Sequence, residues 1–506
     1  MRARQSDPRT LAVADVETSL LRDGEAPRTR FWGLAIEGED YRRFGTSRDL
    51  ERFLRARSDS LTILHHHDYD AIQYWLVDRC DYRPDLVVGG RLVQGTSGRH
   101  VWQNSYKLFP TSLKAILESA GFAKPDLADL EARNRADTVD ALAAFRALAR
   151  RYVALCGIDP LDGVSRTSAG VGVRAAEAVA GQLPRWTEDR EPFYGGRTEA
   201  LRLGAIGEAE CWDIASSYPA SFLAAPARDD LLQLEVTVSR ALATGPCPFP
   251  LRREGKLIFP VGTFTTWTFR SNYERFYAAH SGIARARILR RIPVDLSWVR
   301  AVGQDLMAPA YALRAKAKQS DPPMAYVAKI LLNSIYGRLA VRSAFERFHI
   351  LDRVPEGRGY WPIGGGRYVA SSKTERESPG NYLFAAWVTD NARARLYDCM
   401  RQIPADSLYY CDTDSVFCAP GAFPFAAGKG LGDWNLEGAG QLTVRGLKDY
   451  TFRGRDKLKG GRGGIQWTPK RALAGKGARA IERTRREDPA PKREILARGR
   501  TRAHEV

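Results

Sequence analysis

The sequence predicts an α/β protein of about three domains, and three observations carry that expectation. A chain of 506 residues is too long for one ordinary core at roughly 150 residues per domain. From residue 1 to about 185, apolar runs of strand composition, TLAVADVET and LTILHHHDYDAIQYWLV, precede a long Ala/Leu/Arg helical pattern, DTVDALAAFRALARRYVAL. From about 197 to 450 short strand-like runs mix with two strong helical patterns, and the residues beyond 450 change character altogether.

The first segment closes with the Gly/Ser-rich SRTSAGVGVR and then TEDREPFYGGR, which has linker composition. The expected domains are therefore 1–185, 186–450 and a basic C-terminal region, 451–506. That last region carries seventeen Lys/Arg against six Asp/Glu, eleven of the eighteen net positive charges of the chain. It reads either as a solvated tail or as an element that grips a phosphate backbone.

A net charge of +18 and a pI near 9.7 favour a polyanionic partner, and nucleic acid is preferred over an anionic membrane. The first ten residues have no apolar core of a leader, and no window approaches 18 uninterrupted apolar residues, so a cytoplasmic protein without a membrane partner is expected. Seven cysteines, scattered and never spaced as CxxC, signal neither a disulfide framework nor a zinc site.

The stretch LYYCDTDSVFC has strand composition on both flanks and turn composition at its centre. A hairpin would put Asp412 and Asp414 at its tip, where two carboxylates repel unless a cation lies between them or one is protonated. Hard oxygen ligands suit magnesium or manganese. Taken alone, DTD is better read as a simple acidic turn.

In AECWDIASSYPASF, Asp213 ends an apolar run that gives way to small residues and Tyr-Pro, the pattern of a strand breaking into a tight turn and a helix. Backbone N–H groups of Ala215, Ser216 and Ser217 could then form a phosphate-binding concavity beside the carboxylate; taken singly, an ordinary capped helix start fits better. DPPMAYVAKILLNSIYGRLA predicts a helix with Asp321 as N-cap, Pro322 in its first turn and Gly337 as the left-handed C-terminal residue. Lys329, Asn333 and Tyr336 fall at i, i+4 and i+7 on one face, whereas Ile330, Leu331, Leu332 and Ile335 supply core surface.

In this order and at these separations, DIASSYP, KILLNSIYG and YCDTDS resemble the three polymerase motifs of family B DNA polymerases. The resemblance implies a right-hand polymerase with an α+β palm, helical fingers and a short thumb. It makes Asp213 and Asp414 the ligands of two Mg2+ (or Mn2+) ions, with Asp412 in support, for transfer of deoxynucleoside triphosphates to a primer 3′-hydroxyl. Lys329 would meet the triphosphate beside Ser216 and Ser217, and Tyr218 would lie beneath the sugar and exclude a 2′-hydroxyl. Asn333, Tyr336 and Gly337 would line the nascent base pair and its DNA. Lys316 and Lys318 are either further phosphate contacts or a plain exposed pair.

In LAVADVETS, Asp15 and Glu17 stand at i and i+2; HHHDYD ends in Asp70, and RNRADTVD contains Asp137 at the expected start of a helix. Four acids from three segments suit a second metal pair, and their order resembles the 3′–5′ exonuclease motifs of the same family, which sit on a ribonuclease H-like fold. Thr18, His66 and Tyr69 would then contact a single-stranded 3′ end. Two positions depart from that pattern: His66 stands where the family usually has Asn, and Arg133 where it usually has Tyr four residues before the last acid. Consecutive histidines of a strand do not all face one ion, which argues against zinc at HHH.

SYKLFPTSLKAILESAGF, FYGGR and LKDYTF resemble the protein-primed polymerases of phages and linear plasmids. By that resemblance Tyr194, Gly195 and Gly196 contact template, with Phe193 in place of the usual Tyr, and Lys448 and Tyr450 support the primer terminus. The spacings leave room for two insertions, at about 225–305 and 341–385, which in that branch dock a terminal protein and encircle DNA. The expected partners are a DNA template-primer, deoxynucleoside triphosphates and a terminal protein primer, with the polymerase itself a monomer. The rival readings are a repair-type polymerase and exonuclease using ordinary primers, and a catalytically weak DNA-binding replication accessory.

Overall fold

The computed structural model describes residues 10–458 except 20–27, 67, 89–90, 124–128, 187–189, 240–241, 243–244, 254–255, 279–282, 341–342, 352–359, 365–366 and 377–379. Most of the basic C-terminal region expected from the sequence therefore lies outside the described residues. Those described fall into two compact units, 10–176 with 310–378, and 177–309 with 379–458. The first boundary lies near the expected linker, but residues 310–378, with the predicted helix of Lys329, group with the N-terminal residues. Among the described residues, no helix is long and apolar enough to cross a membrane.

The first unit is built on a seven-stranded sheet. Its strands are β1 (Thr10–Thr18), β2 (Thr29–Ile36), β3 (Arg42–Phe44), β4 (Leu61–His65), β5 (Arg83–Val88), β6 (Arg91–Ser97) and β7 (His100–Asn104), in the order β3-β2-β1-β4-β7-β6-β5. The β1–β4 and β4–β7 pairs are parallel and the rest antiparallel. Alternation along β1 sends Ala12, Ala14 and Val16 into a core with Trp32, Leu50, Ile63 and Trp102, and so turns Asp15 and Glu17 to the other face. Helical chain from Leu130 to Cys156 begins at Asp129, whose carboxylate accepts the N–H groups of Glu131 and Ala132, and ends at Gly157 with φ +71°. One wider, five-residue-spaced turn, Ala136–Asp140, interrupts it, and such turns concentrate at functional positions. Asp137 lies in that turn, well inside the helix rather than at its start as expected, because Asp129 supplies an earlier cap.

Helix Pro322–Leu339 has the expected N-cap: Asp321 Oδ1 accepts the Met324 N–H at 3.1 Å, with Pro in the first turn. Its end differs from expectation. The helix runs two residues beyond Gly337, which is not left-handed, because the apolar face continues to a fully buried Leu339. Strands Ser343–Leu351, Tyr360–Gly364 and Arg367–Arg376 form a three-stranded antiparallel sheet within the region expected to hold the second insertion.

The second unit is organised by another seven-stranded sheet, antiparallel throughout. Its order is Arg455–Leu458, Asp449–Phe452, Trp434–Gly446, Gly204–Ile214, Ser415–Cys418, Leu408–Asp412 and Thr198–Ala200. Ile214, Val416 and Cys418 of that sheet pack on Leu396, Cys399 and Met400 of helix Tyr382–Met400, which Asn381 caps by accepting the Phe384 N–H at 3.0 Å. A separate three-stranded sheet, Gly262–Phe269, Arg228–Val238 and Ile283–Asp295, falls in the region of the first expected insertion.

Candidate active sites

In the second unit, Asp213 ends the strand Gly204–Ile214, where it pairs with Ser415 on one side and Asn435 on the other. Ser415 pairs in turn with Asp412, and Asp412 with Thr198. Directly paired residues share a face, so Thr198, Asp412, Ser415, Asp213 and Asn435 form one rank across five strands. Asp414 lies in the turn of the hairpin, and its carbonyl accepts the Ile214 N–H at 2.8 Å. Two acids far apart in sequence are thus backbone neighbours.

The turn is unusually tight. The Asp414 N–H donates to Asp412 O at 2.7 Å, and Thr413 between them has φ +65°, a conformation that costs a β-branched residue about 1–3 kcal/mol. A bond from the Thr413 N–H to Arg197 O, 2.6 Å, offsets part of that strain. Arg197 is itself fully buried, paired with Glu199 and held 4.0 Å over the ring of Phe259.

The two hairpin acids have different surroundings. Asp412 Oδ1 receives Lys448 Nζ at 2.5 Å, Thr413 Oγ1 at 3.1 Å and Thr198 Oγ1 at 3.3 Å. Burial, and next the charge of Asp412, push the Asp414 carboxyl up to about 6. Lys448 is held at φ +60°, its N–H donating to Tyr410 Oη at 2.7 Å, and Tyr450 is buried against the rings of Tyr410 and Phe417. Of the LKDYTF segment, the lysine reaches the acids and the tyrosine is packing.

After Asp213 the chain turns as expected, with Ser216 left-handed at φ +52° before the short helix Ser217–Leu223. The Ala215 N–H, however, donates to Asp433 O at 2.8 Å, so the expected three-donor concavity is reduced to Ser216 and Ser217. Tyr218 is half-buried behind Gly196: a Cβ there would come within 2.9 Å of Thr413 Cγ2 and 3.1 Å of Tyr218 Oη. The FYGGR segment therefore lies directly on the hairpin turn. Tyr194 is buried, its carbonyl and that of Gly195 taking Arg393 Nη1 at 3.1 and 2.8 Å, and what the segment offers a ligand is the backbone at Gly195 and Gly196.

In the first unit, carboxylate oxygens of Asp15, Glu17 and Asp137, all buried, lie within 4.8 Å of one another. Asp70 lies outside that group; it reaches β1 through its Oδ1, which accepts the Val16 N–H at 3.4 Å. Asn134 Nδ2 donates to Asp15 Oδ2 at 3.0 Å and to Asp15 O at 3.2 Å, while its Oδ1 accepts from Tyr41 Oη at 2.9 Å. Only glycine fits beneath that amide, since a Cβ at Gly33 would lie 1.7 Å from Asn134 Oδ1. Arg133 is buried, with Nε 3.8 Å from Asp137 Oδ2. Thr18 Oγ1 and Tyr69 Oη are hydrogen-bonded at 2.5 Å, and burial pushes the Tyr69 phenol up to about 12. His66 differs from expectation: its ring nitrogens engage Ser105 Oγ at 2.9 Å and Thr111 O at 3.0 Å, which fixes it as a bridge between segments rather than as a free contact for a ligand. Lys329 and Asn333 are exposed and Tyr336 half-buried on one face of Pro322–Leu339, as the periodicity requires.

A family model described as DNA polymerase type B, organellar and viral, matches residues 231–358. The chain is 23% identical over 498 residues to a DNA-directed DNA polymerase of Enterobacteria phage PRD1, across 90% of this chain and 85% of that protein. By these matches the chain resembles the family B DNA polymerases.

The mixed α/β fold of this chain resembles that of Phi29 DNA polymerase, with a TM-score of 0.64, 14% identity and 90% of each chain covered for the orthorhombic crystal form. A ternary complex of Phi29 DNA polymerase with primer-template DNA and incoming nucleotide substrates gives the same TM-score at 15% identity, again over 90% of each chain. Around this chain's own acids, the sequence left several neighbours unnoticed. Thr198 and Asn435 reach Asp412 and Asp213 through strand pairing, Arg197 reaches the hairpin through its carbonyl, and Asn134 donates to Asp15 in the buried acidic group. The first three carry no local signal, because each is brought there by strands distant in sequence. Asn134 alone was within reach, as the neighbour of the noted Arg133 and three residues before Asp137.

Proposed function

We propose that this polymerase extends a primer 3′-hydroxyl on a DNA template by two-metal phosphoryl transfer, edits with a separate 3′–5′ exonuclease centre, and begins synthesis on a protein hydroxyl. The observation that carries the first part is the register seating Asp213 against the Asp412–Asp414 hairpin. A raised Asp414 carboxyl beside Asp412 is a donor set in want of a hard cation, and the buried Asp15, Glu17 and Asp137 oxygens are another. Divalent magnesium or manganese held by Asp213 and Asp414 would supply charge neutralisation of the triphosphate and activation of the attacking hydroxyl.

The chain's own groups do the orienting. Lys329 is a triphosphate ligand, the Ser216 and Ser217 N–H groups are phosphate donors, and the Tyr218 ring lies beneath the sugar and excludes a 2′-hydroxyl. Asn333, Tyr336 and Gly337 line the nascent pair. Lys448, tethered to Asp412, supports the primer terminus, and the backbone at Gly195 and Gly196 follows the template. On this reading the second unit contains a right-hand palm, and the parallel core β1-β4-β7 of the first is a ribonuclease H-like nuclease, in which Asp15, Glu17, Asp70 and Asp137 hold its metal ions and Thr18 and Tyr69 meet a frayed 3′ end. Protein priming rests on the likeness to the phage PRD1 and Phi29 polymerases. The test is primer extension in magnesium, with and without a candidate protein primer encoded beside this gene. Covalent attachment of the first nucleotide to that protein is expected; extension of DNA primers alone would reduce the proposal to an ordinary polymerase.

A further inference from the structure

Arg133 lies four residues before Asp137 on the same helix, so the two side chains share a face at the wide turn that carries the acid. Both side chains are buried, the Nε–Oδ2 separation is 3.8 Å, and Arg133 Nε has no hydrogen-bond partner among the described residues. An arginine is never neutral in a protein, and a buried one persists only where opposite charge compensates it. Here that charge is the group of Asp15, Glu17 and Asp137.

We propose that Arg133 is a resident counter-charge of the nuclease centre, a positioning residue that holds Asp137 in place without metal and competes with a divalent cation for it. The inference rests on the exonuclease reading and deepens it. A cation approaching Asp137 meets a fixed positive charge a few ångströms away, a repulsion that even strong dielectric screening leaves large enough to weaken binding about tenfold or more. The centre thus stays folded and compact without metal, and fills only at higher divalent concentrations than an all-acid centre would need. Editing is thereby subordinated to synthesis when metal is scarce.

The experiment is Mn2+ titration of the full chain, followed by electron paramagnetic resonance, with Asp213→Asn and Asp414→Asn in all samples to remove binding at the polymerase acids. Arg133→Tyr and Arg133→Gln should each bind Mn2+ at the remaining centre at least about tenfold tighter than Arg133, and should melt lower in metal-free buffer while gaining more from added Mn2+. Equal affinity in all three overturns the inference and leaves the exonuclease reading intact. A titration that Asp15→Asn with Asp137→Asn does not change, in any background, removes the metal centre itself and overturns both.

Discussion

Lys448 Nζ lies 2.5 Å from Asp412 Oδ1, which sets the two acids of the DTD hairpin apart: Asp412 is ion-paired with a lysine, whereas burial raises the Asp414 carboxyl. The lysine comes from a left-handed turn that follows the strand Trp434–Gly446, and its backbone N–H is anchored on Tyr410 of the hairpin strand itself. Backbone and side chain of the lysine are therefore both tied to the hairpin strand. Lys448→Ala should slow single-turnover nucleotide incorporation about tenfold, by leaving Asp412 uncompensated beside Asp414. In an Asp412→Asn background the same change should cost much less, a coupling that a double-mutant cycle on the incorporation rate measures directly. Strict additivity of the two changes would show that the pair does not act as a unit.

The Asp414 carboxyl, pushed up to about 6 from its ordinary value near 3.8, predicts a pH dependence of known sign. The folded chain binds its proton more tightly than the unfolded chain, so this group favours folding below pH ~4 and the advantage is lost as pH rises through about 6. At neutral pH without metal the charged carboxylate is a net cost of at most about 3 kcal/mol. Asp414→Asn should therefore raise the melting temperature relative to the parent in metal-free buffer at pH 7.5, with the difference shrinking toward pH 4, while abolishing incorporation and sparing DNA binding. A melting difference that is the same at both pH values would contradict the assigned origin of the shift.

What the sequence made legible was local. The DTD hairpin followed from turn composition between strand-like flanks, and the cap at Asp321 and the Lys329–Asn333–Tyr336 face followed from helix chemistry and a 3.6-residue period. Asp15 and Glu17 shared a face because residues two apart on a strand do. What remained hidden depended on partners distant in the chain. The Ala215 N–H looked available until strand Trp434–Gly446 brought Asp433 O beside it, and His66, expected to contact a 3′ end, has both ring nitrogens engaged by Ser105 and Thr111. Gly337 carried the composition of a helix end, but burial of Leu339 outweighed local preference and extended the helix by two residues.

Gly196 tests whether the FYGGR segment is coupled to the acids by contact. With a Cβ of alanine predicted to fall 2.9 Å from Thr413 Cγ2 and 3.1 Å from Tyr218 Oη, either the strained turn or the Tyr218 ring must yield. Gly196→Ala should lower incorporation at least about tenfold and, by displacing Tyr218, relax discrimination against ribonucleotides. Gly195→Ala meets nothing within 4 Å and should leave ribonucleotide discrimination unchanged. The check is single-nucleotide incorporation with matched deoxy- and ribonucleotides; equal behaviour of the two variants would remove the contact argument.

The two acidic centres belong to separate compact units, each with its own seven-stranded sheet and core, and this predicts that they can be disabled one at a time. Asp15 and Glu17 occupy the face of β1 opposite the Trp32–Trp102 core, so replacing both with alanine removes charge without opening that core. Relieving the mutual repulsion of the buried acids should raise metal-free stability slightly or leave it unchanged, although Asn134 loses its carboxylate acceptor at Asp15. Digestion of a mismatched 3′ end should fall by about a hundredfold or more, while extension of a matched primer persists at close to the parent rate. Both activities are read from one labelled primer-template on a denaturing gel, with and without deoxynucleotides. Loss of extension together with digestion would mean that the acids of β1 serve synthesis as well, and the assignment of two independent centres would have to be given up.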